Sequence, residues 1–129
     1  MVIFGIIELK ELKEHEETDP IHLVQIQRRI EQDGLLKNPI IVDKKTKIIL
    51  DGHHRYNSLK NLNCSKIAVY FVDYSSSEIK VKSRKKRKIV TKRDVINAGL
   101  SENKLPPKTS RHIIPKKPLN LCISLKELR

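Results

Sequence analysis

The chain is short and strongly basic, with 129 residues and a formal net charge of +12 from 27 Lys+Arg against 15 Asp+Glu. That length suits one compact domain. Aromatic residues make up only 4% of the chain, so a core must come mostly from Ile, Leu and Val. The positive charge favours anionic partners such as nucleotides, nucleic acid or other phosphorylated molecules.

Several protein classes are excluded by what the sequence does not contain. No apolar run approaches the roughly 20 residues that a membrane span needs. Residues 2–7 are too short for the apolar part of a signal peptide and lack a basic leader. Cys64 and Cys122 share no short spacing, which argues against a zinc site and against a redox Cys-x-x-Cys pair. We expect a soluble, reduced, cytoplasmic protein that does not contact membranes.

The sequence pattern in the first part of the chain predicts a strand, a loop and a helix. Residues 2–9 are rich in β-branched side chains, as in a strand, and the polar residues 10–17 predict a turn leading into a loop. Asp19 is a helix N-cap with Pro20 at the first helical position. Gly34 ends this helix as a C-cap. One face of the helix is predicted to be apolar, and its residues are Ile21, Val24, Ile26 and Ile30.

The middle of the chain predicts a hairpin followed by a helix and further strands. Residues 39–43 and 47–51 are short strands joined by a turn. A helix is expected at 53–62, a strand at 66–74 and another at 78–82.

The last part begins with a capping box at Thr91 and Asp94, which predicts a helix closed by Gly99. Pro106-Pro107 indicates a rigid, extended linker, and residues 123–128 predict a last short element. This order of elements predicts an α/β (α+β) fold, with a small mixed sheet and flanking helices in a single domain covering 1–129.

The most informative segment is the turn Asp51-Gly52-His53-His54-Arg55, between an apolar strand and a predicted helix. Glycine at such a turn lets the backbone approach a ligand closely. The N–H groups and dipole of the helix that follows favour an anion, typically phosphate. Arginine suits bidentate phosphate contacts. The alternative is a tight turn with surface histidines.

Two further clusters carry candidate chemistry. Residues 14–17 read Glu-His-Glu-Glu, and one of these carboxylates could take a proton from an alcohol during phosphoryl transfer; otherwise they form a solvated acidic loop. Residues 108–112 read Lys-Thr-Ser-Arg-His and could form a second anion pocket; otherwise they are a basic tail. No Walker A motif and no protein-kinase glycine loop is present.

The basic residues are concentrated at 80–88, where seven of nine positions are Lys or Arg. We interpret this run as a basic linker with a solvated surface. Non-specific contact with nucleic acid is the alternative.

Together, the three clusters resemble the free L-serine kinases of the ParB/sulfiredoxin-like fold. That family carries a His-Glu segment after its first strand, an Asp-Gly-His-His-Arg turn after a hairpin and a Lys-Thr-(Ser/Thr)-Arg-His segment near its C-terminus. This chain has the same three motifs, in the same order, at 15–16, 51–55 and 108–112. The resemblance spans most of residues 6–128.

The resemblance implies a reaction in which ADP or ATP, with Mg²⁺, phosphorylates the hydroxyl of free L-serine to give O-phospho-L-serine. It implies that Glu16 and Asp51 are the catalytic acids, with Asp51 also a candidate Mg²⁺ ligand and no other metal ligand assigned. The residues implied to bind nucleotide phosphates are Gly34, Gly52, His53, His54 and Arg55. Residues of a C-terminal segment, 106–129, complete the site, and those implied to bind serine and its phosphate are Lys108, Thr109, Ser110, Arg111 and His112.

Two relatives of the same fold provide rival interpretations. Sulfiredoxin needs a reactive cysteine before the His-Arg pair of the turn, where this chain has His53. Chromosome-partitioning ParB proteins carry Gly-Glu-Arg-Arg at the turn, followed by a helix-turn-helix domain, and this chain has neither the Glu-Arg-Arg nor that length. A ParB-like nucleic-acid-binding regulator or nuclease is the alternative function, favoured by the charge and by the run at 80–88.

Overall fold

The structure is a computed structural model, and it describes residues 3–85, 89–101, 103–115 and 121–129. Within these ranges the chain forms four α-helices, which are α1 (Pro20–Asp33), α2 (His53–Asn61), α3 (Lys92–Leu100) and α4 (Leu125–Leu128). It also forms eight strands, which are β1 (Ile3–Glu8), β2 (Leu35–Leu36), β3 (Ile40–Asp43), β4 (Ile49–Asp51), β5 (Lys66–Val72), β6 (Lys80–Ser83), β7 (Ser110–Ile113) and β8 (Ile123–Ser124). Position 2 of the first predicted strand, positions 86–88 of the basic run and positions 116–120 of the C-terminal segment lie outside the described residues.

The main sheet is small and mixed, with the strand order β1-β5-β3-β4. β1 pairs antiparallel with β5, β5 pairs parallel with β3, and β3 pairs antiparallel with β4. Two further pairs of strands, β2 with β8 and β6 with β7, form separate antiparallel ribbons. The predicted α/β fold class with a small mixed sheet and flanking helices is therefore confirmed.

The sheet is buried on both faces at β3, and the core is almost entirely aliphatic. Alternate side chains of β3 point to opposite faces, as in any strand. Ile40 and Val42 join a cluster with Leu59 of α2 and Leu128 of α4. Ile41 joins a second cluster on the other face, which includes Val95 of α3. The scarcity of aromatic residues is thus compensated by Ile, Leu and Val, as expected.

The predicted hairpin and the helix after it both form, each element within one or two residues of its predicted bounds. β4 begins at Ile49 and not at Lys47, because Lys47 has a left-handed backbone with φ of 63° and closes the turn by donating its N–H to the carbonyl of Asp43. β4 ends at Asp51, and Gly52 leads directly into α2. This places the Asp-Gly-His-His-Arg turn at the exit of the sheet.

Helix α1 begins and ends where the sequence predicts, with Asp19 as N-cap and Gly34 as a left-handed C-cap. Its predicted apolar face is wrong in part. Ile30 is buried, but Ile21 is 74% exposed and Val24 is 48% exposed. α1 packs mainly against α2, so only the part of its surface that α2 covers is removed from water.

Helix α3 has the predicted capping box between Thr91 and Asp94. Gly99 does not close the helix, which continues to Leu100. Instead Gly99 lies against the side chain of Ile48, and a Cβ at this position would come within 2.6 Å of it. The glycine therefore permits close packing of α3 on the hairpin.

The first part of the predicted basic linker forms β6, because Lys80–Ser83 pairs with Ser110–Ile113 of β7. This pairing fixes the position of residues 108–112, which are called the late cationic segment below. No helix among the described residues is both long enough and apolar enough to cross a membrane.

Candidate functional site

A cleft of about 460 Å³ lies beside the N-terminus of α2. Its lining includes residues from all three of the sequence clusters with candidate chemistry, namely Glu16, residues 51–55, Lys108 and residues 110–112. The fold thus brings the early carboxylate, the glycine turn and the late cationic segment to one place. The volume is in the range of ordinary small-molecule sites, about 300–1,000 Å³.

Two predicted site residues do not line the cleft. Gly34 is the C-cap of α1, and its carbonyl accepts a hydrogen bond from the N–H of Leu125. Thr109 is fully buried, and its hydroxyl donates to the carbonyl of Pro106 at 2.6 Å. In this structure Gly34 has a local structural explanation, and Thr109 faces the site only through its backbone.

Glu16 is held by the late segment of the chain. Its Oε1 accepts hydrogen bonds from the backbone N–H of Thr109 at 3.2 Å and from the backbone N–H of Ser110 at 2.9 Å. The hydroxyl of Ser110 also lies within 2.9 Å of the same oxygen. These contacts fix the orientation of the carboxylate in the cleft wall.

The turn at Gly52 requires glycine for two reasons. Its φ of 112° is a conformation that other residues rarely adopt, and a Cβ would come within 2.3 Å of Ile40. Gly52 is also the N-cap of α2, and no side chain caps that helix. The helix therefore begins at the cleft without a side-chain acceptor for its first N–H groups.

The two histidines of the turn are held by backbone donors. His53 is buried, and its Nε2 accepts a hydrogen bond from the N–H of His15 at 3.1 Å. The Nε2 of His54 accepts one from the N–H of Asp19 at 3.0 Å. Burial, and then neighbouring cationic or imidazole groups, lower the pKa of both histidines, most strongly for His53. Both rings are therefore neutral at physiological pH and are not fixed cations.

Arg55 stabilises the turn through hydrogen bonds and an ion pair. Its Nη1 donates to the carbonyls of Asn38 and Pro39, each at 3.2 Å. Its Nη2 lies 3.6 Å from the carboxylate of Asp51. The guanidinium thus connects the start of β3, the end of β4 and α2, while it also lines the cleft.

The late segment is attached to α1 and to the second core cluster. Lys108 has a left-handed backbone, and its Nζ lies 3.2 Å from the carboxylate of Asp19. The hydrogen bond from Lys108 is the main cause of the lowered pKa of Asp19. His112 shares a hydrogen bond of 2.8 Å with the hydroxyl of Tyr74. Arg111 is exposed at the cleft.

Three further residues complete the site, and sequence reasoning did not assign them a role. His22 and Arg84 line the cleft, and the rings of His22 and His54 lie 4.5 Å apart. His15 lies behind Glu16, with its ring 4.5 Å from that of His53 and 5.6 Å from that of His112. All five histidines of the chain therefore lie in or directly behind this site, although their spacing in the sequence gives no sign of it.

The donor set at the cleft fits a magnesium ion that is held partly by phosphate. Among the described residues no group of three or more His, Cys, Asp or Glu side chains could hold a metal by itself. Mg²⁺ in phosphotransferases is usually held by one or two carboxylates together with substrate phosphates. Asp51 places a partly exposed carboxylate in the cleft, directly before the N-terminus of α2.

Comparisons with known proteins support the family resemblance. No family model matches the chain. A ParB-like protein of Sulfolobus acidocaldarius is 48% identical over 44 residues, which are 34% of this chain and 22% of that protein. An ATP-dependent L-serine kinase of Staphylothermus marinus is 32% identical over 84 residues, which are 60% of this chain and 32% of that protein. The chain thus spans between a fifth and a third of the length of these curated relatives.

A solved structure of a free serine kinase in complex with AMP superposes on this chain with a TM-score of 0.90. The match covers 98% of this chain and 93% of that one, at 18% sequence identity. The structural likeness shows the shared fold. With the sequence matches, it confirms the resemblance to free serine kinases of the ParB/sulfiredoxin-like fold.

Proposed function

We propose that this protein is a kinase that transfers the terminal phosphoryl group of ADP or ATP to the hydroxyl of free L-serine. The observation that carries the proposal is the convergence of Glu16, the 51–55 turn and the 108–112 segment on one cleft. The name of one sequence relative, an ATP-dependent L-serine kinase, and that of the superposed structure point the same way.

Phosphoryl transfer depends on positioning and on charge neutralisation more than on covalent help from the protein. The N-terminus of α2 supplies backbone N–H groups and the positive end of a helix dipole. A Cβ at position 52 would clash with Ile40, so glycine permits the turn that places this helix start at the cleft. Arg84, Lys108 and Arg111 add positive charge at the same cleft. The nucleotide phosphates are therefore proposed to lie over residues 52–54.

Glu16 is the proposed general base. Two backbone N–H groups hold one of its oxygens, so the carboxylate is oriented before the substrate binds. A carboxylate within hydrogen-bond reach of the serine hydroxyl can take its proton as the oxygen attacks phosphorus. In this proposal Thr109 acts on the reaction only through its N–H group.

The remaining residues of the late segment are proposed to hold the acceptor. Free serine carries a carboxylate, for which Lys108 and Arg111 are suitable partners. Ser110 and His112 lie on the same side of β7, two positions apart, and both line the cleft. When bound, Mg²⁺ would neutralise charge on the phosphates, and Asp51 is its proposed protein ligand.

The direct test is an assay for O-phosphoserine by phosphorus NMR, with L-serine, Mg²⁺ and either ADP or ATP. We expect product with at least one nucleotide. The Glu16→Gln variant should retain nucleotide binding but lose turnover by about 100-fold or more, the usual contribution of a general base. Glu17→Gln is the matched control, because Glu17 is adjacent but exposed. If wild-type protein gives no product with either nucleotide, the proposal is wrong.

A ParB-like nucleic-acid-binding function is the second candidate. It is supported by the net charge of +12 and by the match to a ParB-like protein. Duplex DNA titrated at two salt concentrations distinguishes the candidates. Tight binding that persists at high salt, without phosphoserine formation, would favour this second function.

A further inference from the structure

One hydroxyl group in the cleft wall is shared by two acceptors. The Oγ of Ser110 lies 2.9 Å from Oε1 of Glu16 and 3.1 Å from Nε2 of His15. Ser110 and His15 are both buried. Water therefore has little access to the contact between Ser110 and His15, so the hydrogens of that contact come from these two groups themselves.

The position of one hydrogen on His15 is fixed by a backbone group. Nδ1 of His15 lies 2.6 Å from the carbonyl oxygen of Ile49. A carbonyl oxygen only accepts hydrogen bonds, so Nδ1 must carry a hydrogen. In a neutral imidazole Nε2 is then a bare acceptor that faces the hydroxyl of Ser110.

The chain of contacts is consequently one proton short. Ser110 has a single hydroxyl hydrogen. That hydrogen can satisfy the carboxylate of Glu16 or the ring nitrogen of His15, but not both. Adding one proton, either to the carboxylate or to the imidazole, gives every contact in the chain a hydrogen.

We propose that Glu16, Ser110 and His15 form a proton relay in which His15 is the terminal acceptor for the proton taken from the substrate hydroxyl. This inference rests on the proposed kinase function. Glu16 touches the substrate and is the catalytic base, whereas Ser110 and His15 act through it and are positioning residues.

The proton balance of the step is simple. As the serine oxygen bonds to phosphorus, the bond from phosphorus to the bridging oxygen of the nucleotide breaks and releases AMP from ADP, or ADP from ATP. The serine O–H bond breaks as well, and its proton passes to Glu16. Ser110 gives its own hydrogen to Nε2 of His15 and accepts the proton from Glu16, so the hydroxyl is regenerated. After the product leaves, the proton returns to water by the reverse path.

The groups around His15 favour a neutral ring that takes up a proton temporarily over a ring that is permanently charged. His53 from α2 and His112 from β7 face the ring of His15, and His54 is the imidazole that interacts with Glu16. Burial lowers the pKa of His15 to about 4, within the usual range of carboxylic acids. The imidazole is therefore neutral at rest and holds an added proton only transiently.

The first test needs no catalytic activity. Long-range ¹H–¹⁵N NMR at pH 7 reports whether Nε2 of His15 accepts a hydrogen bond. Ser110→Ala removes the donor, so the Nε2 resonance should move towards the position of a free lone pair. Glu16→Gln removes the competing carboxylate, so the hydrogen of Ser110 should move to His15 and shift the resonance in the opposite direction. An unchanged resonance in either variant, or shifts of the same direction, would overturn the relay.

The second test is kinetic. Ser110→Ala keeps the backbone N–H bond to Glu16, so a merely structural role would leave the pH profile unmoved. With the relay cut, we expect kcat to fall about tenfold or more, with little change in KM. The acidic limb of the kcat profile should move to lower pH by about half a unit or more, because the proton is no longer shared. Ser110→Thr, which keeps the hydroxyl, should recover most of the lost rate.

The two tests separate the relay from the function on which it rests. The wild-type protein could make no phosphoserine while the two variants shift the Nε2 resonance of His15 in opposite directions. In that case the proposed hydrogen bonding of Ser110 holds and the proposed kinase reaction is wrong. If phosphoserine forms but the resonance and the pH profile do not respond to Ser110→Ala, the relay is wrong and the kinase remains.

Discussion

Helices α1 and α2 begin in opposite ways, although they pack against each other. The first N–H groups of α1 are capped by the carboxylate of Asp19, which accepts from Ile21 at 3.0 Å. Helix α2 begins at Gly52, has no side-chain cap and opens on the cleft. A helix start that is satisfied locally contributes stability, whereas one left open can satisfy a ligand.

The largest expected effect concerns the protonation of the buried histidines near the uncapped N-terminus of α2. Burial lowers the pKa of His15 and of His112 to about 4, and that of His53 well below its usual value. An unfolded histidine titrates near pH 6.5, so between pH 6.5 and 4 the unfolded chain binds more protons than the folded one. Stability must then fall as the pH falls through this window.

We expect the free energy of unfolding, from urea denaturation, to drop by about 3 kcal/mol or more between pH 7 and pH 4.5. His15→Gln should make the curve flatter by removing one of these groups. A free energy that stays constant over this range would mean that the histidines are not buried as neutral rings in solution.

The next effect compares the two glycines that flank these helices. Gly52→Ala should cost about 3 kcal/mol, because a Cβ would overlap Ile40 and the backbone has φ of 112°. Gly34→Ala has no neighbour within 4 Å of the added Cβ, so only the left-handed backbone opposes it, at about 1 kcal/mol. Chemical denaturation of both variants tests the difference. Equal losses would contradict the close approach of Ile40 to the turn.

A smaller effect is expected on ligand binding. Arg55→Ala removes the group that connects Asp51 with the carbonyls of Asn38 and Pro39. Nucleotide binding should weaken by more than about 1 kcal/mol, or about fivefold, as measured by calorimetry. Lys60→Ala on the same helix is the control, because Lys60 is exposed and far from its N-terminus. An unchanged dissociation constant for Arg55→Ala would place the phosphates elsewhere.

The smallest expected effect is the loss of stability when a side-chain cap is removed from another helix, α3. Thr91 caps α3 by accepting from the N–H of Asp94. Thr91→Ala should lower stability by about 1 kcal/mol and leave phosphoserine formation at low temperature unchanged. A loss of activity at full occupancy of the folded state would show that α3 also contributes to the site.

Features set by neighbouring residues were predictable from the sequence. The Asp19-Pro20 start of α1 and the capping box at Thr91 are examples, because each depends on contacts only two or three residues apart. The exposure of Ile21 was not predictable, because it depends on which part of α1 another helix covers.

The candidate site likewise has features that were predictable from the sequence and features that were not. The 51–55 turn is contiguous, so its chemistry can be read from the sequence. Its meeting with Glu16 and residues 108–112 was implied only by the family resemblance, since no local pattern brings together groups so far apart. His15 had no recognisable role, because its partner Ser110 lies 95 positions later.

The pairing of β6 with β7 has a consequence for how such a protein can change over evolutionary time. Val81 lies opposite His112, and Ser83 lies opposite Ser110. Side chains alternate between the two sides of a strand, so a slip by one position would turn both His112 and Ser110 away from the cleft. The four residue pairs that align β6 with β7 must therefore be inherited in register, and an insertion or deletion within either strand would disrupt the cleft.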